Sequence, residues 1–157
     1  MISNRRTSSR KGFTLVEILI VVIILGILAA IVIPQFTNAS TDARKSNMAS
    51  QDQTIKSQIS LYMLQHGDTA PAVASLFPNL TAVTDAAGNL SGATGFNSVT
   101  SFGPYLQATP VNPLTNSSTI VTLPGGTGTA TSGWYYNPGT GEFHGVNSVG
   151  AKSDDGN

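Results

Sequence analysis

The side chains able to do acid–base, nucleophilic or metal chemistry are few in this sequence. There are two histidines, His66 and His144, and no cysteine. The missing cysteine excludes a disulfide framework, a thiolate metal site and a cysteine nucleophile. Neither histidine has a companion at metal-ligand spacing, and no G-x-S-x-G elbow positions a serine. The glycine-rich run GGTGTATSG (125–133) is not followed by Gly-Lys-Ser/Thr, so it reads as a flexible linker and not as a phosphate loop. The pair Asp154-Asp155 reads as a solvated polar tail. These observations argue against an enzyme. One acid remains unexplained. Glu17 sits in GFTLVEILIVVIILGILAAIVIP, where hydrocarbon surrounds it. A charge at mid-bilayer costs about 2.5–3.5 kcal/mol, which makes an intramembrane acid a functional candidate by default. The helix dipole lowers that cost near a helix start.

The element that carries Glu17 is a membrane helix. From Phe13 to Ile33, 21 residues, only Thr14 and Glu17 are strongly polar. As a helix this stretch is about 31 Å long, enough to cross a bilayer core. Arg5, Arg6, Arg10 and Lys11 precede it with no acid among them, so the basic end stays cytoplasmic and the C-terminal part faces outward. A secretory signal fits poorly, because the run exceeds the roughly 7–15 apolar residues of such signals. Thr7, Ser8 and Ser9 after the arginine pair also argue against a twin-arginine signal. Charged residues make up only 10% of the chain, against roughly 25% in soluble proteins. The net charge of zero conceals an asymmetry: after Gly12, four basic residues face eight acidic ones. That balance removes the electrostatic basis for nucleic-acid binding.

The segment RKG, then FTLVE, then a long apolar helix resembles the class III signal of the type IV pilin superfamily, which includes type IV pilins and the pseudopilins of type II secretion. The resemblance covers residues 10 to about 36, with Glu17, Gly26 and Pro34 at matching positions. It implies cleavage by a prepilin peptidase between Gly12 and Phe13, followed by N-methylation of Phe13. It also implies that Glu17 meets the N-terminal amine of a neighbouring subunit, two groups that are costly alone in a dry setting and tolerable as a pair. In the family the segment between Gly26 and Pro34 can unwind on packing. Pro34 itself lacks an N–H and crowds the carbonyl of Ala30, which predicts a kink and not an end, since helix-compatible sequence resumes after it.

Gln35 to His66 contains no Gly or Pro and stops at Gly67. Met48, Ile55, Ile59, Tyr62 and Met63 fall close to one helical face, and Asp52, Lys56, Ser57 and Ser60 on the other. This predicts an amphipathic helix that packs a small head. From Gly67 onward Gly, Pro, Ser, Thr and Asn dominate, interrupted by apolar clusters. TIVTL (119–123) reads as a strand, and WYY and EFHGV flanking Asn137-Pro138-Gly139-Thr140-Gly141 read as a β-hairpin. ASLFPNL reads as a short helix or a loop cut off at Pro78. Core candidates are Leu76, Phe77, Leu80, Phe102, Tyr105, Leu106, Ile120, Val121, Leu123, Trp134, Tyr136 and Phe143.

The expected fold is therefore α+β: a long N-terminal α-helix, half membrane-spanning and half amphipathic, packed on a small antiparallel β-sheet head. The expected divisions are a cleaved basic leader (1–12), a transmembrane and assembly helix (13–34), an amphipathic helix (35–66), a β-rich head (67–151) and a flexible tail (152–157). FGPYLQATPVNPLT (102–115) and GWYYNPGTGEF resemble segments of major type II secretion pseudopilins, and the lack of cysteine agrees with that group. The resemblance implies a single-pass protein of the bacterial inner membrane with a periplasmic head. Its partners would be further copies of itself, minor pseudopilins, the prepilin peptidase/methyltransferase and an inner-membrane assembly platform, with no nucleic acid. No cofactor is expected. Several relatives bind calcium through C-terminal acids; Asp154 and Asp155 are the nearest candidates here, but their flanking pattern departs from that loop, and the ion wants about six to eight oxygens. The alternatives are a type IV pilin for adhesion or motility, a membrane-anchored binding module, and an exported enzyme.

Overall fold

The structure is a computed structural model and describes residues 12–147 and 150–152. The chain divides into two units, with the boundary after Thr41. The first unit is the beginning of α1 (Leu15–Gln65). Every large apolar side chain from Leu15 to Ile33 is exposed, because leucine, isoleucine and valine surround the helix on all sides and none is covered by another of the described residues. The helix continues through Gly26 and Pro34, so the proline does not end it. Just beyond, the hydroxyls of Thr37 and Thr41 donate back to the carbonyls of Ile33 and Thr37 at 3.3 and 3.0 Å, the local bonding by which threonine competes with helical hydrogen bonds.

The second unit, from Asp42, contains the rest of α1 and the head. After α1 come a 3-10 turn (Val73–Ser75), α2 (Leu76–Thr81), β1 (Thr84–Asp85), a second 3-10 turn (Ser98–Thr100), β2 (Ser101–Phe102), β3 (Ile120–Thr122), β4 (Trp134–Tyr136) and β5 (Phe143–Gly145). ASLFPNL thus forms a helix and not a loop, and α2 runs through Pro78. Proline is tolerated there because it lies in the first turn, whose N–H groups have no helical acceptor. Helix α1 ends where Gly67 takes φ +62° and Asp68 donates to the carbonyl of Met63 at 2.8 Å.

The core joins Ile55, Ile59 and Tyr62 of α1 to Leu76, Phe77 and Leu80 of α2 and to Trp134, Tyr136 and Phe143 of the hairpin. Tyr105, Leu106 and Ile120 pack against it half-buried. Phe102, Val121 and Leu123 are also only partly covered, because β2 and β3 are short and lie at sheet edges. The buried stripe of α1 reads Met48, Asp52, Ile55, Ile59, Tyr62, His66, alternating steps of four and three. Asp52 departs from the solvent face that its polarity predicts. It is buried on the stripe instead and bonds Lys56 at 2.7 Å.

β4 and β5 form the expected hairpin, with Trp134 opposite Gly145 and Tyr136 opposite Phe143. Gly141, at φ +74°, closes the turn against α1, and a Cβ there would lie 2.6 Å from the Met63 sulfur. β1 and β2 pair antiparallel. The three-stranded sheet is mixed and not purely antiparallel: β3 runs parallel to β4, Ile120 beside Trp134. Segment 123–133 is long enough to bring the chain back in the same direction. That segment, expected as a flexible linker, is held by a hydrogen-bond set. Gly126 donates to Thr122 at 2.9 Å, and Gly128 to the Tyr135 hydroxyl at 2.8 Å. The Tyr135 hydroxyl in turn donates to the Gly150 carbonyl at 2.7 Å.

Two buried polar residues fix the remaining loops. Asn112 is fully buried; its Nδ2 donates to the carbonyls of Gly133 and Val146, both at 2.7 Å, and its Oδ1 accepts from Leu114 at 2.8 Å. Asp85 is buried at the mouth of the 86–100 loop and accepts from Ala87, from Asn89 twice and from Asn97, at 2.9–3.1 Å. Burial opposes its charge, but the donors from Asn89, Asn97 and Ala87 prevail and hold its carboxyl below the ordinary range. Replacing Asn112 with alanine leaves two buried carbonyls unpaired and will destabilise the head by about 2–4 kcal/mol in chemical denaturation. An aspartate depressed in this way contributes stability that is present above its unfolded pKa of about 4 and is lost as pH falls through the lower folded value. Thermal melts between neutral and acid pH will show this loss in the native chain, while Asp85→Asn will be less stable at neutral pH and flatter on acidification.

Candidate assembly interface

The sequence-predicted processing and assembly residues lie on the first unit. Gly12, Phe13 and Thr14 are outside the helix and exposed, so the Gly12–Phe13 peptide is in irregular, accessible chain. The helix starts at Leu15 for a local reason. Thr14 and Glu17 form a capping box: the Thr14 hydroxyl accepts from the Glu17 N–H at 3.2 Å. In return, a Glu17 carboxylate oxygen accepts from the Thr14 N–H at 3.4 Å and from its hydroxyl at 3.5 Å. The spacing T-x-x-E ahead of an apolar run is the sequence signal for this arrangement, so Thr14 belongs to the site beside the expected residues. The two return contacts are long, and the carboxylate is exposed at the positive end of the helix dipole.

Gly26 is exposed, and a Cβ added there would meet nothing within 4 Å. Among the described residues no contact demands glycine, which leaves helix weakening, about 1 kcal/mol relative to alanine, or an approach from another molecule. Pro34 lies within the helical backbone. Glu17, Gly26 and Pro34 therefore share one helix but, spread along its length, form no cluster. Asp154 and Asp155 lie outside the described residues. Among the described residues, no three His, Cys, Asp or Glu side chains are grouped so as to hold a metal ion. The histidines serve packing and hydrogen bonding. His66 is stacked on Tyr62 with ring centres 3.7 Å apart; its Nδ1 lies 2.7 Å from the Tyr62 carbonyl and its Nε2 3.1 Å from the Thr84 hydroxyl. His144 bridges α1 and the hairpin turn, 3.4 Å from Lys56 and 2.9 Å from Glu142.

The family described as the prokaryotic N-terminal methylation motif matches residues 7–33, the stretch that holds the capping box and the start of the apolar helix. The competence protein ComGC of Bacillus subtilis is 37% identical over 68 residues, which cover 43% of this chain and 69% of that protein. The chain belongs to the type IV pilin superfamily. The type II secretion system core protein G of Dickeya chrysanthemi is 37% identical over 57 residues, covering 36% of this chain and 37% of that protein. The type IV major fimbrial protein FimA of Dichelobacter nodosus is 44% identical over 57 residues, 36% of each chain. The chain thus spans little more than a third of the length of these two pilin-superfamily relatives. No solved structure matches it. Members of the superfamily are filament subunits, so this chain is a pilin-like structural subunit and not an enzyme. Its α1 is long and apolar enough to cross a membrane.

The capping box carries a direct expectation. Thr14→Ala removes the hydroxyl that caps Glu17 and will weaken the first turn by about 1 kcal/mol. In detergent-solubilised chain the amides of Glu17 and Ile18 will then exchange about fivefold faster, and Thr14→Ser will restore the native rate.

Proposed function

We propose that this chain is a major subunit of the pseudopilus of a type II secretion system, made as a precursor and assembled through α1 to drive protein export. In this reading residues 1–12 form a basic leader on the cytoplasmic side. A prepilin peptidase cuts between Gly12 and Phe13 and the new Phe13 amine is methylated. Residues 13–34 cross the inner membrane once, with the head in the periplasm, and the subunit passes from the bilayer into a filament with further copies and minor pseudopilins at an assembly platform. One observation supports this most: α1 exposes apolar side chains on every side from Leu15 to Ile33, with a single carboxylate held loosely at its start. Lipid solvates the apolar face of an isolated subunit, and neighbouring helices replace that lipid in a filament.

Glu17 is the register key. Its carboxylate is only loosely satisfied by Thr14, and the amine of a neighbouring Phe13 is the stronger partner in a dry interface. Gly26 gives neighbouring helices room, and Pro34 weakens one helical bond near the end of the apolar run. The similarity to the fimbrial protein FimA favours a second reading, a type IV pilin for adhesion or motility. The two share the processing and packing steps and differ in where the filament ends up.

Mass spectrometry of the chain from cells with an active processing enzyme will give a mature N-terminus at methylated Phe13. Glu17→Ala will insert in the membrane normally, while its filament yield falls at least about tenfold, as expected for losing one partner of a buried pair. A chain that keeps its first twelve residues, or a Glu17→Ala variant that assembles normally, overturns the reading. Surface filaments that support motility but not export would favour the pilin alternative.

A further inference from the structure

The sequence contains four Asn-x-Ser/Thr triplets without a central proline: Asn38-Ala39-Ser40, Asn79-Leu80-Thr81, Asn89-Leu90-Ser91 and Asn116-Ser117-Ser118. In an exported chain this spacing is an acceptor for N-linked sugar, because the transferase needs a free amide and a hydroxyl two residues on. The fold takes three of the four out of use. Residues 38–40 lie inside α1, whose hydrogen bonds deny an enzyme the extended backbone that it grips. Asn79 is buried in α2 and donates to the Tyr62 hydroxyl at 3.0 Å, while Thr81 donates to the Phe77 carbonyl at 2.7 Å. Asn89 commits its amide to Asp85 at 3.1 Å and to the Gly95 carbonyl at 3.4 Å.

The fourth triplet is different. The Asn116 N–H donates to the Asn112 carbonyl at 2.8 Å, and the Asn112 N–H donates to the Ser117 carbonyl at 2.9 Å. These bonds close a turn with Asn116 exposed at its corner. The φ of +52° is one that asparagine adopts readily, which accounts for the residue type. It does not account for Ser118. Among the described residues, neither the Ser118 hydroxyl nor the Asn116 side chain has a hydrogen-bond partner. The surroundings carry no charge either: from Ala86 to Gly141 there is no Asp, Glu, Lys, Arg or His. A soluble surface holds roughly 25–35% charged residues, which keep it hydrated and unassociated. Beside the turn, the Ser117 and Thr119 hydroxyls lie 2.9 Å apart, and Thr119 donates to the Thr131 carbonyl at 3.4 Å. Such hydroxyls can exchange hydrogen bonds with sugar.

We propose that Asn116, alone of the four, is the acceptor of an N-linked glycan. The donor is an oligosaccharide carried on a polyprenyl diphosphate. Asn116 Nδ2 bonds to the anomeric carbon of the sugar, and the bond from that carbon to the diphosphate oxygen breaks. The amide proton passes to a base of the transferase, and the polyprenyl diphosphate leaves. A lipid carrier follows from an outward-facing head, since nucleotide-linked sugars stay in the cytoplasm. The proposal rests on the filament reading for that placement only. The attached sugar supplies the hydration that the uncharged surface lacks.

The test uses the full-length chain purified from the membranes of the cells that make it. Tandem mass spectrometry of its peptides will place a sugar mass on Asn116 and leave Asn38, Asn79 and Asn89 bare. Protease digestion of spheroplasts reports separately on which side of the membrane the head lies. Ser118→Ala keeps the asparagine but removes the hydroxyl that the transferase reads, so the modification will be lost while the melting temperature is unchanged. Ser118→Thr will keep the sugar. An outward head with bare Asn116, sugar on any of the other three asparagines, or a Ser118→Ala chain that stays modified overturns the proposal and leaves the filament reading standing. A head on the cytoplasmic side overturns both.

Discussion

The governing constraint is an apolar surface that the chain cannot cover by itself. From Leu15 to Ile33 the helix is hydrophobic all round, and none of its most apolar stretch is buried. A helix of that kind is stable only inside something apolar, a bilayer or a bundle of like helices. Both surroundings exclude water, and that exclusion gives one carboxylate its importance. In water Glu17 would be one surface acid among many; in hydrocarbon its partners decide whether the helix can be there at all. The capping box offers two long, weak contacts from its own chain.

The same helix has a different task in the second unit. Past Asp42 its apolar residues narrow to one stripe, and the head covers that stripe with α2 and the hairpin. The head's sheets are too small to close a core alone: the strands hold two or three residues each. Their shortness moves the burden to loops, and loops carry backbone polar groups that must be paired. Asn112 and Asp85 do this from buried positions, as does the Tyr135 hydroxyl between two glycine-rich segments. A composition rich in glycine, asparagine and threonine thus gives an ordered head because side-chain donors and acceptors take the place of long strands.

Exposed apolar surface and head folding are separated along the helix. The continuous run of exposed apolar residues lies before Thr41, and the residues buried in the head lie after it. A superfamily that keeps the first region and varies the second would produce partial matches of the kind seen here, in which relatives with different roles align over little more than a third of their length.

Local chemistry makes much of this protein legible in its sequence. Continuous apolarity over Phe13–Ile33, the stop at Gly67, the hairpin around Asn137–Gly141 and the stripe through Ile55, Ile59 and Tyr62 are all set by neighbours a few residues apart. Backbone sterics and helical or strand periodicity act over that range. The capping box is equally local, although the membrane setting of Glu17 draws the eye away from its bond to Thr14. The burial of Asp52 and His66 on the apolar stripe, the parallel pairing of β3 with β4, the ordering of 125–133 and the roles of Asn112 and Asp85 are decided only by tertiary structure. Each depends on groups distant in sequence, as when Asn112 meets Gly133 and Val146. A polar residue's partner is chosen by which segments the fold brings together, so its type alone does not reveal whether it faces water or fastens the core.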